Sequence, residues 1–234
     1  MFKPSSFQQA IFHEVEYSTD NLVIEAVAGS GKTTTIIEAL KLLKDRKVLF
    51  LAFNKAIADT LKDRVPANVE ACTLNSYGFK ACMKGLNKKF IKVDPNKTTA
   101  ILRFEVMKIK ESSSKEEKAL YYKTASTIKR LISLAKANNI PKPTRNDWDN
   151  LICDYDLAEV FQKLNENESQ LFYQNLDTTF TRCINCTSVL DFDDQLFFPV
   201  YYNWPIPCYD VVMIDECQDL NPIQIELIKR LQSA

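Results

Sequence analysis

The sequence is short of glycine: four occur in 234 residues, and two of them, Gly29 and Gly31, share one loop. Its single histidine, His13, reads as a surface helix residue rather than a catalyst. No apolar run approaches the ~20 residues that cross a bilayer, and residues 1–20 lack the pattern of a secretory signal. The expectation is a soluble, cytoplasmic chain with no membrane partner. Internal repeats and low-complexity tracts are missing too, which excludes a solenoid. At 46% apolar residues the chain is not disordered as a whole.

Net charge is also lacking, since 30 basic and 30 acidic residues cancel. Their distribution is uneven. Residues 80–145 hold 17 Lys/Arg against 5 Asp/Glu, and residues 146–177 hold 8 acids against Lys163 alone. Two solvated faces of opposite sign would explain this, and so would a basic surface for a polyanion, nucleic acid first among them. The seven cysteines are scattered and odd in number, as for reduced thiols. Cys183 and Cys186 have metal-ligand spacing, and Cys153 and Cys208 could complete a set of four. Unpaired reduced thiols on helices are the commoner meaning of such a pattern.

Four apolar segments read as buried strands: Leu22–Glu25, Val48–Phe53, Val69–Cys72 and Val211–Ile214. Helical spacing covers Thr33–Lys44 and Asn54–Val65, and a last helix starts at Asn221 as N-cap with Pro222 in the first turn. Strands alternating with helices predict a parallel α/β sheet. More than a hundred residues of helical character interrupt it. A helix is expected from Asp94-Pro95 to about Lys110, and a long one from the capping box Ser114-x-x-Glu117 to Asn138. Others are expected over Tyr155–Leu164 and Glu168–Asn185. The aromatics Phe197, Phe198, Tyr201, Tyr202 and Trp204 read as packing under a loop stiffened by Pro205 and Pro207, with base stacking as the alternative.

The loop "EAVAGSGKTTT" stands between an expected strand and an expected helix, the setting that makes a phosphate-binding loop credible. Gly29 and Gly31 let successive N–H groups face phosphate oxygens, and Lys32 and the Thr33 hydroxyl would meet phosphate and Mg²⁺. Ala26 stands where the first glycine of G-x-x-x-x-G-K-T is usual. An ATPase also needs an acid at the tip of a buried strand, and Val211–Ile214 delivers Asp215 there. Glu216 could then activate water as a general base, with Gln218 near the γ-phosphate.

Together "AVAGSGKTTT" and "IDECQDLNPIQ" resemble motifs I and II of the UvrD-like superfamily 1 DNA helicases. "SSFQQAIF" resembles the family's Q motif, "LAFNKAIADTL" motif Ia, "TLNSYGF" motif Ib, and "LDFDDQL" the stretch before motif II. The resemblance implies a P-loop NTPase (RecA-like) α/β fold: a parallel sheet flanked by helices, with an inserted all-helical subdomain. Residues 1–84 and 189–234 would form the ATP-binding domain and 85–188 the insert. It implies ATP and Mg²⁺ as cofactors and 3′-to-5′ movement on single-stranded or partly single-stranded DNA. ATP would be held by Gln8 (Gln9 the alternative), Ala28, Gly29, Ser30, Gly31, Lys32, Thr33 and Thr34. Thr33 and Asp215 would take the metal, Glu216, Lys32 and Gln218 would be catalytic, and Phe53, Asn54, Lys55, Thr73, Asn75 and Ser76 would line the DNA track.

Some positions depart from the family pattern. Ala52-Phe53-Asn54-Lys55 lacks the threonines of motif Ia, Asn75 replaces a histidine, and Thr34 stands where an arginine often faces the adenine. The family's later motifs, with the arginines that contribute about 10³–10⁵ to such hydrolysis, are not in these 234 residues. The chain alone is therefore expected to bind nucleotide weakly, hydrolyse it very slowly and leave duplexes intact. A C-terminal motor domain and replication or repair proteins are the expected partners, and a nucleoid or an infected host cell is the expected setting. A stand-alone ATP- or DNA-binding remnant is the alternative. A small-molecule kinase is a third reading, disfavoured because it has no need of DNA-track segments.

Overall fold

The computed structural model describes residues 2–27, 29–62 and 64–231. Its strands are β1 Val48–Ala52, β2 Val69–Thr73, β3 Lys92–Val93, β4 Val189–Leu190 and β5 Val211–Ile214. Its α-helices begin with α1 Ser6–Tyr17, α2 Lys32–Leu40, α3 Lys55–Lys62, α4 Leu74–Gly85 and α5 Lys97–Ala100. They continue with α6 Lys115–Ala137, α7 Arg145–Asp154, α8 Glu166–Asn185, α9 Phe192–Tyr201 and α10 Pro222–Leu231. The chain divides into two compact units, one of Met1–Leu74, Pro207–Asp219 and Leu231–Ala234, the other of Asn75–Ile206 and Leu220–Arg230. No described helix is long and apolar enough to cross a membrane.

In the first unit β1 lies between β2 and β5 in a parallel sheet, with Val48 opposite both Val69 and Val211. Every residue of β1 is buried, as befits a central parallel strand with both faces covered. Ile37 and Leu40 of α2, Leu43 just after it, and Ala58 and Leu61 of α3 pack with Val48 and Phe50. At the start of the sheet Asp210 accepts from the Lys47 N–H at 2.6 Å, and the Tyr209 hydroxyl meets Glu70 at 2.7 Å.

One expected strand does not form. Leu22–Glu25 is non-regular and exposed, with Val23 76% accessible. A strand exists only through a neighbour's hydrogen bonds, and among the described residues β5 pairs with β1 alone. Leu22–Glu25 joins neither edge of this sheet, so nothing buries the apolar run.

The second unit is helical, with the two-residue parallel pair β3 and β4. The capping box at Ser114 forms as read, opening a 23-residue α6 whose Ile128, Leu131 and Ala135 are fully buried. The helix expected over Tyr155–Leu164 is displaced. A box of Thr144 and Asp147 starts α7 instead, Tyr155 caps its end, and Ala158–Lys163 is a 3₁₀ turn after left-handed Asp156. Of the aromatics expected to pack under a loop, Phe197, Phe198 and Tyr201 lie in α9, opened by a capping box of Asp191 and Asp194, while Pro205 and Pro207 stand in a non-regular stretch. Phe197 and Phe198 are fully buried, so these two rings are core. Pro199 sits within α9 and offers no N–H to the Gln195 carbonyl. The Cys82 thiol of α4 donates there instead, at 3.8 Å. Gly78 makes the approach possible, since a Cβ there would lie 2.1 Å from the Gln195 oxygen.

Four charges are buried in this unit. The Lys136 ammonium, 1% accessible, donates to Asp191 at 2.9 Å and Asp194 at 2.8 Å. The Lys97 ammonium donates to Asp194 at 2.7 Å and to the Cys183 and Cys186 carbonyls at 2.9 and 2.7 Å. The cation at the Cys-x-x-Cys turn is thus an ammonium held by main-chain oxygens at the negative end of α8. Cys183 is buried against Thr98, Cys186 meets Ser188, and no cluster of three or more His, Cys, Asp or Glu suited to a metal occurs among the described residues.

Candidate nucleotide-binding site

The glycine loop is built as its composition requires. Gly29 and Gly31 have φ of 77° and 85°, left-handed values that side chains resist. Ser30 N–H donates to the Val27 carbonyl at 3.3 Å, tightening the turn. Gly31 is the N-cap of α2 and brings no side chain to its free N–H groups. The first turn of α2 therefore presents main-chain donors and dipole to an anion. Lys32, Thr33 and Thr34 occupy that turn, with Thr33 and Thr34 exposed. Ala28 lies outside the described residues.

Lys32 reaches across 184 positions of sequence to Glu216, Nζ to Oε1 at 2.8 Å. The other Glu216 oxygen accepts from Gln218 Nε2 at 2.7 Å. Glu216 stands just past β5 in a left-handed conformation, φ 54°. Its neighbour Asp215 prolongs the ladder, its N–H donating to the Leu51 carbonyl at 3.0 Å. The two carboxyls are driven apart. The hydrogen bond from Lys32, then that from Gln218, holds Glu216 below the usual glutamate range. Burial, then the charge of Glu216, pushes Asp215 above the usual aspartate range. The Lys32 ammonium is raised by the same bond to Glu216.

Glu216 has both oxygens engaged, whereas Asp215 is in no ion pair among the described residues. An oxygen-only pair, Asp215 and the exposed Thr33 hydroxyl, suits Mg²⁺, which is held through one or two protein oxygens with phosphate and water supplying the rest. Those residues therefore fit the ion that a phosphate loop implies.

Gln8 is tied to the loop through Thr35. Its Oε1 and main chain close the capping box with Ser5, and its Nε2 donates to Thr35 Oγ1 at 2.9 Å. Thr35 Oγ1 in turn donates to the Gly31 carbonyl at 3.1 Å. Gln9 instead donates to the Pro4 carbonyl at 3.5 Å. Thr35 was not a sequence candidate. Its signal was the third threonine of "KTTT", one helical turn beyond Gly31.

The candidate DNA-track residues fall on two stretches. Phe53, Asn54 and Lys55 follow β1 at the end of the sheet where Asp215 follows β5, and all three are exposed. Asn54 already has a structural duty, since its Oδ1 accepts from the Ile57 N–H and opens α3. Thr73 ends β2, and Asn75 and Ser76 stand in the first turn of α4. The Asn75 amide donates to the Phe192 carbonyl at 3.0 Å, so its polar end is bound within its own unit. The structure therefore brings Lys32, Asp215, Glu216, Gln218 and Gln8 around one loop, and gives Asn54 and Asn75 local partners.

Comparison with known proteins adds an independent finding. Residues 7–234 match the family model described as the UvrD/REP helicase N-terminal domain. F-box DNA helicase protein 1 of Schizosaccharomyces pombe is 24% identical over 219 residues, covering 91% of this chain and 24% of that protein. F-box DNA helicase 1 of Gallus gallus is 25% identical over 228 residues, 94% of this chain and 21% of that protein. The chain thus spans about a quarter of the length of these curated relatives.

Proposed function

This chain belongs to the UvrD/REP helicase N-terminal domain family, and from that premise we propose that it is the ATP-binding part of a motor that moves 3′ to 5′ on single-stranded DNA. The observation that carries the reading is the Lys32–Glu216 contact at 2.8 Å, which joins glycine loop and acid pair into one site. In this reading the α2 N–H groups and Lys32 bind the phosphates of ATP, and Gln8 contacts the adenine. Thr33 and Asp215 hold Mg²⁺, which neutralises charge on the transferring phosphoryl group. Glu216, kept ionised, accepts a proton from the attacking water, with Gln218 orienting its carboxylate. Phosphate binding draws Lys32 off Glu216, so the base is released only when substrate is present. Phe53, Asn54, Lys55, Thr73, Asn75 and Ser76 face the strand, with residues 1–84 and 189–234 as ATP-binding domain and 85–188 as insert.

The test is nucleotide binding and strand-dependent ATP hydrolysis by the 234-residue chain. Lys32→Ala is expected to abolish nucleotide binding without moving the unfolding midpoint. Glu216→Gln is expected to keep binding and lose turnover. Nucleotide binding indifferent to Lys32→Ala refutes the site. Brisk hydrolysis by the 234-residue chain alone refutes the expectation of slow turnover.

A further inference from the structure

In the helical unit, Ile101–Val106 is a π-helical turn, closed by the Met107 N–H donating to the Leu102 carbonyl at 2.9 Å. Such turns are rare and collect at functional sites. This one buries Ile101 and Leu102 and leaves Arg103, Phe104 and Glu105, three residues in a row, exposed. The Arg103 guanidinium lies 5.1 Å from the Phe104 ring centre and 6.0 Å from that of Tyr121 on α6. Tyr121 meets Tyr122 edge-on, with ring centres 5.4 Å apart. Tyr121 is buried, but Phe104 is 61% and Tyr122 71% accessible.

A single exposed aromatic calls for no explanation. Here two are linked through a guanidinium and a buried ring that restrain their orientation. Exposed Lys108 and Lys110 follow directly, in a segment folded back by the Ile109 N–H donating to the Arg103 carbonyl at 2.8 Å. Glu105 is offset by Arg182 at 3.1 Å, and Glu117 is committed to the α6 capping box. The patch combines open π-faces with cations.

We propose that Phe104 and Tyr122, braced by Arg103 and Tyr121, form a base-stacking site for single-stranded DNA on the helical unit. Lys108 and Lys110 contact the phosphates. The site is additional to the Phe53–Ser76 track and deepens the motor reading, on which it rests. Stacking accepts any base, because every base offers a π-face, whereas lysine contacts respond only to backbone charge. The site therefore reads the presence of bases and ignores their order.

The experiment uses the 234-residue chain with a labelled oligothymidine and an abasic strand of equal length and charge. Wild type is expected to bind the base-bearing strand at least about tenfold more tightly. Phe104→Ala and Tyr122→Ala together are expected to reduce that preference severalfold, with an unchanged unfolding midpoint. Photocrosslinking of a 5-iodouracil strand to wild type is expected to mark the peptides carrying Phe104 or Tyr122. A base preference undiminished in the double variant, equal binding of both strands by wild type, or crosslinks confined to Phe53 overturns the site. Lys32-dependent ATP binding is measured alongside. Its loss in wild type strikes the motor reading, whereas its presence with base-blind DNA binding strikes the stacking site alone.

Discussion

Replacing Lys136 by methionine tests the buried charges most directly. Methionine keeps an unbranched apolar stem, so the change removes an ammonium rather than a shape. Wild type balances two lysines against two aspartates in a region almost without solvent. After the substitution Asp194 retains Lys97, while Asp191 keeps only neutral donors, the Thr98 hydroxyl at 3.2 Å and the Asp194 N–H at 2.8 Å. Removing one partner of a buried pair costs about 3–5 kcal/mol, a large share of the ~5–15 kcal/mol that typically stabilises a domain. With a urea slope of ~2 kcal/mol per molar, the midpoint should fall by about 2 M. Both tryptophans, Trp148 and Trp204, belong to the helical unit, so their emission follows that unit's unfolding. Asp191→Asn added to Lys136→Met should recover much of the loss, since the amide can still accept from Thr98. A midpoint within about 0.3 M of wild type for Lys136→Met would show that the cluster is not what holds α6 to α9.

The same four charges set a pH window. Burial acts against ionisation of Asp191, but Lys136 outweighs it and holds the carboxyl below its ordinary range. Its contribution is thus present above the unfolded pKa and lost as pH falls through the folded one. Burial alone would lower Lys136, but Asp194 and Asp191 raise it above the ordinary lysine value. Its contribution is present below the unfolded pKa and lost only as pH rises through the folded one. Asp194, more deeply buried, stays above the usual aspartate range despite both lysines. The Asp191–Lys136 contribution should therefore be level through neutral pH.

Thiol labelling at pH 8 should proceed quickly at exposed Cys153 and Cys217 and slowly at half-buried Cys186 and Cys208. Cys72, Cys82 and Cys183 should stay silent until urea is added. Burial pushes the Cys183 thiol up to about 11, so raising pH to 9 should not unmask it, and five or more fast thiols in the native chain would contradict the packing. Gly78→Ala should destabilise the helical unit by roughly 1–3 kcal/mol, read from tryptophan emission in urea, because its methyl meets the Gln195 carbonyl. A neutral Gly78→Ala would mean that α4 and α9 can separate without cost. Ser114→Ala should cost about 0.5–2 kcal/mol in the same titration, and no change would deny the capping box its role at the start of α6.

Features encoded in a few neighbouring residues were legible from the sequence. The capping box at Ser114, the N-cap at Asn221, the paired glycines of the loop and the apolar run ending in Asp215 all act over one turn or one strand. Their geometry follows from local sterics and hydrogen bonding. Other features depended on residues far apart in the chain. Leu22–Glu25 has the composition of a strand but is exposed, because strands are made by partners. Cys183 and Cys186 have ligand spacing, yet it is their carbonyls that meet a cation, supplied from Lys97. Asp191 and Asp194, read in the sequence only as part of "LDFDDQL", are buried with Lys136, which stands 55 and 58 positions earlier. Lys32 and Glu216 could be paired in sequence only through the needs of ATP hydrolysis and the family resemblance, and the fold closes that gap to 2.8 Å. The sequence by itself determined α2, α3, α6, α8 and α10, the caps at Ser114 and Asn221 and the chemistry on offer. Only the tertiary structure decided which charges meet, which apolar run stays exposed and which rings face outward, because those depend on packing that no local period records.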